Sequence, residues 1–375
     1  MKIPIRTIAM TSTSFLASRR PEHSLAHQFA RHAWCLCLFL PLSNVAMLVT
    51  GPHTGSDALL WTLPVWLCIA ADWFSPVSAY RPPPPLPQLV YTGLLHLLAA
   101  LQLIAMVLML RLASELSWTS WPDCITAAAN IAAVRVVTGT TSCCSGIALA
   151  HELIHRPSRH LRRLGRLILW TVLYDHFAIA HTLAHHRFVA TDDDFSTARL
   201  NETFNSFWWR STRGQINRSW QLERERLGDR PALVRFAGNR IIQGLLIQIL
   251  LLTGIAWAYG WVALGVFVYQ AFAATRLLEA VNYFQHWGLR RHSGTDNHPI
   301  AWSTRSWFSL HSLLGLPLHT DHHLHANKPF HRLRSRGAGP RLPHGYFVMA
   351  ILIRVSNRHF QRLAKQELHS KHLLA

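Results

Sequence analysis

Acidic residues are scarce in this chain. Its 375 residues hold 18 Asp and Glu against 37 Lys and Arg, and charged residues of all kinds make up 15%, where soluble domains carry roughly 25%. Paired thiols are missing too. Cys35, Cys37, Cys68, Cys124, Cys143 and Cys144 lie in or beside apolar stretches, and no two form a CxxC pair. That excludes a rubredoxin-type iron site and a zinc knuckle. No GxGxxG follows a strand-like segment and no P-loop occurs, so the usual nucleotide-binding devices are absent. Electrons for any redox chemistry must then come from another protein. No solenoid-type repeat is present. What the chain does have is apolarity, at 50% hydrophobic residues, together with a formal net charge of +19. A nucleic-acid binder would carry such charge on a soluble domain without long apolar runs. The combination describes a membrane protein with basic loops and no nucleic-acid partner.

Apolar stretches at 33–50, 57–72, 87–110, 124–150, 239–258 and 261–285 approach the roughly 20 residues that cross a bilayer. The loops "GPHTGS" (51–56) and "ASELSWTSWPD" (113–123), and the tight turn near Tyr259–Gly260, carry no Lys or Arg. Arg81, the "RPSRHLRRLGR" stretch, residues 210–240 and the region after His286 are basic, and the positive-inside rule places them in the cytoplasm. The reading is an all-α membrane protein of six transmembrane helices with a cytoplasmic histidine-rich helical cap, both termini on that side. A basic tail (1–32) precedes the membrane domain (33–334), and a basic segment (335–375) follows it. "RPPPPLP" at 81–87 reads as a stiff extended connector. The apolar segment 164–180 begins and ends in cytoplasmic sequence. It is expected to lie against the cap or dip into the membrane. Trp118, Trp121, Trp208 and Trp209 suit an interfacial aromatic belt or a pocket lining.

Histidine is the residue in excess, at 25 copies. "AHELIHR" places His151 and His155 four apart, on one face of a helix. "HTLAHHR" supplies His181, His185 and His186, "NYFQHWG" supplies His286, and "HTDHHLH" supplies His319, His322 and His323. All fall on the expected cytoplasmic side. Neutral imidazole suits iron, zinc or copper, and no thiolate cluster competes. One structural zinc needs about four ligands. Nine histidines suffice for two metals with positions left open for dioxygen.

These motifs resemble the bacterial integral-membrane alkane hydroxylases, within the wider membrane fatty-acid desaturase/hydroxylase superfamily. The likeness runs from about Cys124 to Arg334. "HTLAHHRFVATDDDFSTAR" is similar to the family's EHNRGHHxxVATxEDPASAR. "LLEAVNYFQHWGLRR" is similar to LExxNYxEHYGLxR, and "LHTDHHLHANKPFHRLR" to HSDHHxxxxRPYQxLR. The NYxxHxG element separates this family from generic desaturases. The resemblance implies a bacterial inner-membrane protein in which His151, His155, His181, His185, His186, His286, His319, His322 and His323 hold two irons. It implies hydroxylation of the terminal methyl of an alkane or alkyl chain by dioxygen, with electrons from rubredoxin and its reductase. Ala180 and Gln285 stand where the family has Glu, Phe195 where it has Pro, and Leu318 where it has a polar or basic residue.

Other residues invite two readings each. Glu152 either bonds a ligand histidine or forms a plain salt bridge. Glu279 either supports the iron site, as the family motif favours, or pairs with Arg276. Asp194, with Asp192 and Asp193, is either a support of the site or part of a solvated turn. Arg135 sits mid-span without an evident partner. His325 and His331 are expected near the site but not in the ligand set. Against alkane hydroxylation stand desaturation of an acyl chain and hydroxylation of an alkyl aromatic of the xylene type. A metal-storing or metal-transporting membrane protein is a third class, and a transporter would place its ligands near midplane.

Overall fold

The computed structural model describes residues 32–76, 86–291, 299–337 and 339–373. The basic tail up to residue 31 and the proline run at 82–85 lie outside the described residues. Among those described every regular element is helical, apart from an isolated parallel bridge between Ser303 and Arg341.

Four helices are long and apolar enough to cross a membrane: α1 (Ala33–Thr50), α4 (Gln88–Ser114), α5 (Trp121–Ile154) and α10 (Arg240–His286). The expected second span is not a single helix. It forms two short pieces, α2 (Gly55–Leu60) and α3 (Leu63–Trp73), broken at Trp61 and Thr62. Pro64 sits at the first turn of α3, where its missing N–H costs nothing, and it cannot serve inside a longer helix. The fifth and sixth expected spans are the two arms of α10. They meet at Gly260, whose φ of 82° and ψ of 175° suit glycine alone. Trp257 and Trp261 flank that bend and are 89% and 80% exposed, as an interfacial belt requires. The segment 164–180 is likewise not one helix. α6 (Arg159–Trp170) stops there, the chain turns through Leu173 at φ 53°, and a second helical stretch, α7 (177–188), begins. Asp175, gripped by Arg166 at 2.6 Å, anchors that turn. Beyond lie α8 (Phe204–Leu227), α9 (Ala232–Gly238), α11 (Trp307–Ser312), α12 (His319–Leu324), α13 (Tyr346–Val355) and α14 (Asn357–Ser370).

Within lipid, helices associate through close packing and polar bridges and not through hydrophobic burial. Both devices occur. A Cβ at Gly139 would lie 2.9 Å from that of Ala273, so α5 and α10 approach as only a small residue allows. Gln102 of α4 donates to Ser142 and to Thr171, each at 3.1 Å. Thr138 donates to Asn44 at 2.8 Å, and Arg111 covers the end of α1 by donating to the carbonyls of Leu48, Val49 and Gly51. Asp72 at the end of α3 accepts from Ser306, Ser309 and the Val348 N–H, which ties the membrane layer to α11 and α13. A Cβ at Gly345 would sit 1.8 Å from a carboxylate oxygen of Asp72. Gly345→Ala is therefore expected to cost about 1–3 kcal/mol by overpacking. A lowered thermal midpoint in detergent checks it, and an unchanged midpoint would show that the Asp72 hub yields freely.

Candidate metal centre

Two wide turns set the histidines in place. Residues Ser142–Ile147 of α5 and Ala180–His185 of α7 are π-helical, closing hydrogen bonds from i to i+5. Such a turn brings residues five apart to one face. His181 and His186 accordingly meet with Nε2 atoms 3.1 Å apart. The α5 turn comes just before Ala148–Ile154, which carries His151 and ends at His155. His286 is the last residue of α10, and His319, His322 and His323 stand on the short helix α12.

The structure brings all nine predicted histidines together, in two sets. One holds His151, His155, His181, His186 and His322, the other His185, His286, His319 and His323. Within each set the ligand-capable atoms lie within 4.8 Å of one another. Adjacent residues therefore serve different sets: His185 and His186 part company, as do His322 and His323. Nε2 of His322 is 3.1 Å from Nε2 of His186, and Nε2 of His323 is 3.1 Å from that of His319. With metal–nitrogen bonds of about 2.1 Å, nitrogens at right angles round one ion are about 3.0 Å apart. The inward Nε2 atoms of His151, His155, His185 and His286 are buried and have no hydrogen-bond partner. Buried polar atoms are normally satisfied, so these orphans fit a metal.

Burial keeps several of these rings neutral. It pushes His155 down to about 3, with His185 and Arg156 adding to it. Burial and the neighbouring histidines hold His181, His319, His322 and His323 well below the usual imidazole range. Neutral rings offer lone pairs at pH 7. The outward nitrogens are pinned in two cases. His185 Nδ1 is 2.9 Å from Asp194, and His286 Nδ1 is 2.8 Å from the Ile300 carbonyl. Burial works to raise the Asp194 carboxyl, but His185 and the Thr197 hydroxyl hold it below the ordinary range.

Of the three carboxylates singled out from sequence, only Asp194 touches a histidine of the sets. Glu152 pairs with Arg156 and accepts the Phe330 N–H at 2.9 Å, so it clamps the end of α5 to the segment after α12. Glu279 does not pair with Arg276. It accepts from Tyr174, Ser211, Gln215 and Asn282, while Arg276 donates to Asn205. His325 is half exposed beside Asp321, and His331 stacks on Tyr91. Sequence reasoning missed Asp321. It lies fully buried between His319 and His322 and binds Lys328, Arg336 and the Arg334 N–H. The signal was present in one acid flanked by histidines and followed by bases. Phe195, which departs from the family pattern, packs its ring where Gly214 leaves room; a Cβ there would lie 2.2 Å away.

A narrow apolar channel of about 80 Å³ leads to the histidines from between α5, α10 and α13. His151, His181 and His319 line its inner end, with Ile147, Leu278, Val281 and Phe347 along the walls.

A family model described as "Fatty acid desaturase" matches residues 126–349. The chain is 36% identical over 220 residues to alkane 1-monooxygenase 1 of Pseudomonas aeruginosa, covering 57% of this chain and 58% of that one. It is 31% identical to alkane 1-monooxygenase of Acinetobacter baylyi, over 59% of this chain and 56% of that one. To the hydroxylase component of xylene/toluene monooxygenase of Pseudomonas putida it is 27% identical, over 59% and 60%. The matches thus span less than two thirds of the length of these curated relatives.

Proposed function

Because the chain belongs to the fatty acid desaturase family, we propose that it is a membrane-bound non-haem diiron monooxygenase. It hydroxylates an unactivated C–H bond, at the terminal methyl of an alkane or alkyl chain, using dioxygen and electrons from rubredoxin. The observation that carries this reading is the division of nine buried imidazoles into sets of five and four at the end of an apolar channel. His151, His155, His181, His186 and His322 would hold one iron, and His185, His286, His319 and His323 the other. When bound, the irons would supply the dioxygen activation that C–H hydroxylation requires. The chain's own residues do the rest. Asp194 and the Ile300 carbonyl fix the tautomer and aim of His185 and His286. The channel walls exclude water and steer a hydrocarbon toward the inner end. Gln285, in place of an acid, donates to the Tyr346 hydroxyl at 2.9 Å and so braces α10 against α13.

The architecture proposed is six crossings of the bacterial inner membrane, with the histidines on the cytoplasmic side. A straight 47-residue helix would be about 70 Å long, more than twice a hydrocarbon core of about 30 Å. The bend at Gly260 turns α10 into an outward and a returning crossing. α2 and α3 together make the second.

A product assay with alkanes, alkyl aromatics and fatty acids, run with a rubredoxin system, tests the function. Alcohol products support it, and alkenes would establish desaturation. The xylene/toluene relative is the reason to include alkyl aromatics.

The donor is proposed to dock on basic surface. Arg159, Arg162 and Arg163 line an open groove beside α6, and Arg332 and Arg334 are exposed. Arg156 and Arg166, also on that face, are occupied by Glu152 and Asp175. Turnover at limiting rubredoxin is expected to fall as salt rises, since screening shortens the Debye length to about 8 Å at physiological strength. Turnover at saturating donor should change little. Charge reversal at Arg332 or Arg334 should raise the donor concentration needed with iron content unchanged. Salt-independent turnover at limiting donor would reject electrostatic docking.

A further inference from the structure

Two acids sit inside the histidine motifs. Glu152 lies between His151 and His155, and Asp321 between His319 and His322. At about 100° per residue, Asp321 stands about 160° round α12 from both His319 and His323. Both acids grip one segment, residues 328–336. Asp321 accepts from Lys328 at 2.6 Å, from Arg336 at 2.7 Å and from the Arg334 N–H at 2.9 Å. Glu152 accepts the Phe330 N–H at 2.9 Å. Phe330 is fully buried, edge-on to the rings of Trp34 and Tyr91 at 4.9 and 5.8 Å. The segment thus runs from the back of α12 to the end of α5.

The two helices it joins both carry histidines of the sets. α5 gives His151 and His155 to the five-member set. α12 gives His322 to that set and His319 and His323 to the other. The rotation of α12 about its axis therefore matters to both sets at once. Yet α12 has six residues, and among the described residues no side chain caps its N-terminus. A helix that short is marginal by itself. Its pose has to be fixed by what grips it from outside.

We propose that residues 328–336 form a strap that positions the metal ligands, with Asp321 as its chief positioning residue. The strap holds α12 at the rotation that sends His322 to one set and His319 and His323 to the other, and through Glu152 it ties α12 to α5. The proposal rests on the metal-centre reading and names what keeps the two sets in register. Asp321 suits the task because charge-assisted hydrogen bonds are about twice as strong as neutral ones, and it receives them from two cations at once. The bases of this region then divide by role. Lys328 and Arg336 are committed to Asp321, while Arg332 and Arg334 stay exposed and available to the electron donor.

Amide exchange is read first, on the metal-free protein. Asp321→Asn should speed exchange across residues 319–325 at least about tenfold and leave α4 and α10 unchanged. The side chains of Lys328 and Arg336 are 23% and 45% exposed, so both can turn to water in that variant. Ferrous iron is then added and competed away with a chelator. Both histidine sets should lose affinity together, by about tenfold or more. Arg336→Gln, which leaves Lys328 on Asp321, should cost both sets less, and Arg336→Lys should return most of that loss. Arg332→Gln should leave both sets as they were. Unchanged exchange at α12, unchanged affinity in both sets, or a loss confined to one set overturns the proposal. If Asp321→Asn loses protection throughout the chain, Arg336→Gln decides by the same two readings. A parent protein that takes up no iron removes the metal-centre reading. Faster exchange at α12 in the variant still supports the strap in that case, and unchanged exchange overturns it.

Discussion

Anaerobically purified protein is expected to carry about two irons per chain, one for each histidine set, and the His286→Ala variant about one. His286 belongs to the four-member set, so its loss leaves three imidazoles where about four ligands make a closed site. No other ring readily takes its place. It is fully buried, its Nδ1 is fixed by the Ile300 carbonyl, and its Nε2 has no other partner. Hydroxylation should fall by at least about 100-fold, beyond what loss of an outer partner of a ligand typically costs. Helix content should be unchanged. His155→Ala leaves four members in its own set and should retain metal more firmly. Full activity in His286→Ala would remove His286 from the ligand set, and one zinc with no iron in the parent protein would remove the diiron assignment.

The second large effect is expected at Asp194. Its carboxylate fixes His185 and also accepts from Thr197 and the Ser196 N–H, so it sets both the ring and the loop behind it. Asp194→Asn keeps the shape and removes the charge that favours a proton on His185 Nδ1. Metal affinity of the four-member set should drop about 10–100-fold, as losses of such partners do. The five-member set should be spared. Chelator competition, followed as two separate releases, resolves this. Unchanged affinity in both sets would mean that Asp194 only braces the loop.

Much of this site was legible because histidines at helical spacing can be counted. His151 and His155 follow the i, i+4 rule, and His286 falls where an apolar run ends. The division into sets was not legible. The α-helical rule pairs His181 with His185, whereas the π-helical turn pairs it with His186. Nor does spacing show that Glu152 faces Arg156 and Phe330 and not a histidine, because which way a buried carboxylate points depends on partners remote in sequence. Asp321 was overlooked for that reason; Lys328 and Arg336 reach it only once the chain folds back. Apolar length found the long helices. The tight turn near Tyr259–Gly260 was legible too, and two helical arms meet there at a non-helical Gly260. The break at Trp61 and Thr62, which depends on one proline, was not.

The wide turn at Ser142–Ile147 lies between the membrane part of α5 and the histidines it carries. A helix advances about 100° per residue. Drawing the same residues into a regular helix without removing one would swing His151 and His155 by about one residue's step, ~100°, round the axis while leaving composition untouched. The distance from bilayer to metal is thus counted in whole residues. The extra residue held in the wide turn keeps the lipid-embedded half of the protein in register with its chemistry, and closing the turn without losing that residue breaks the register.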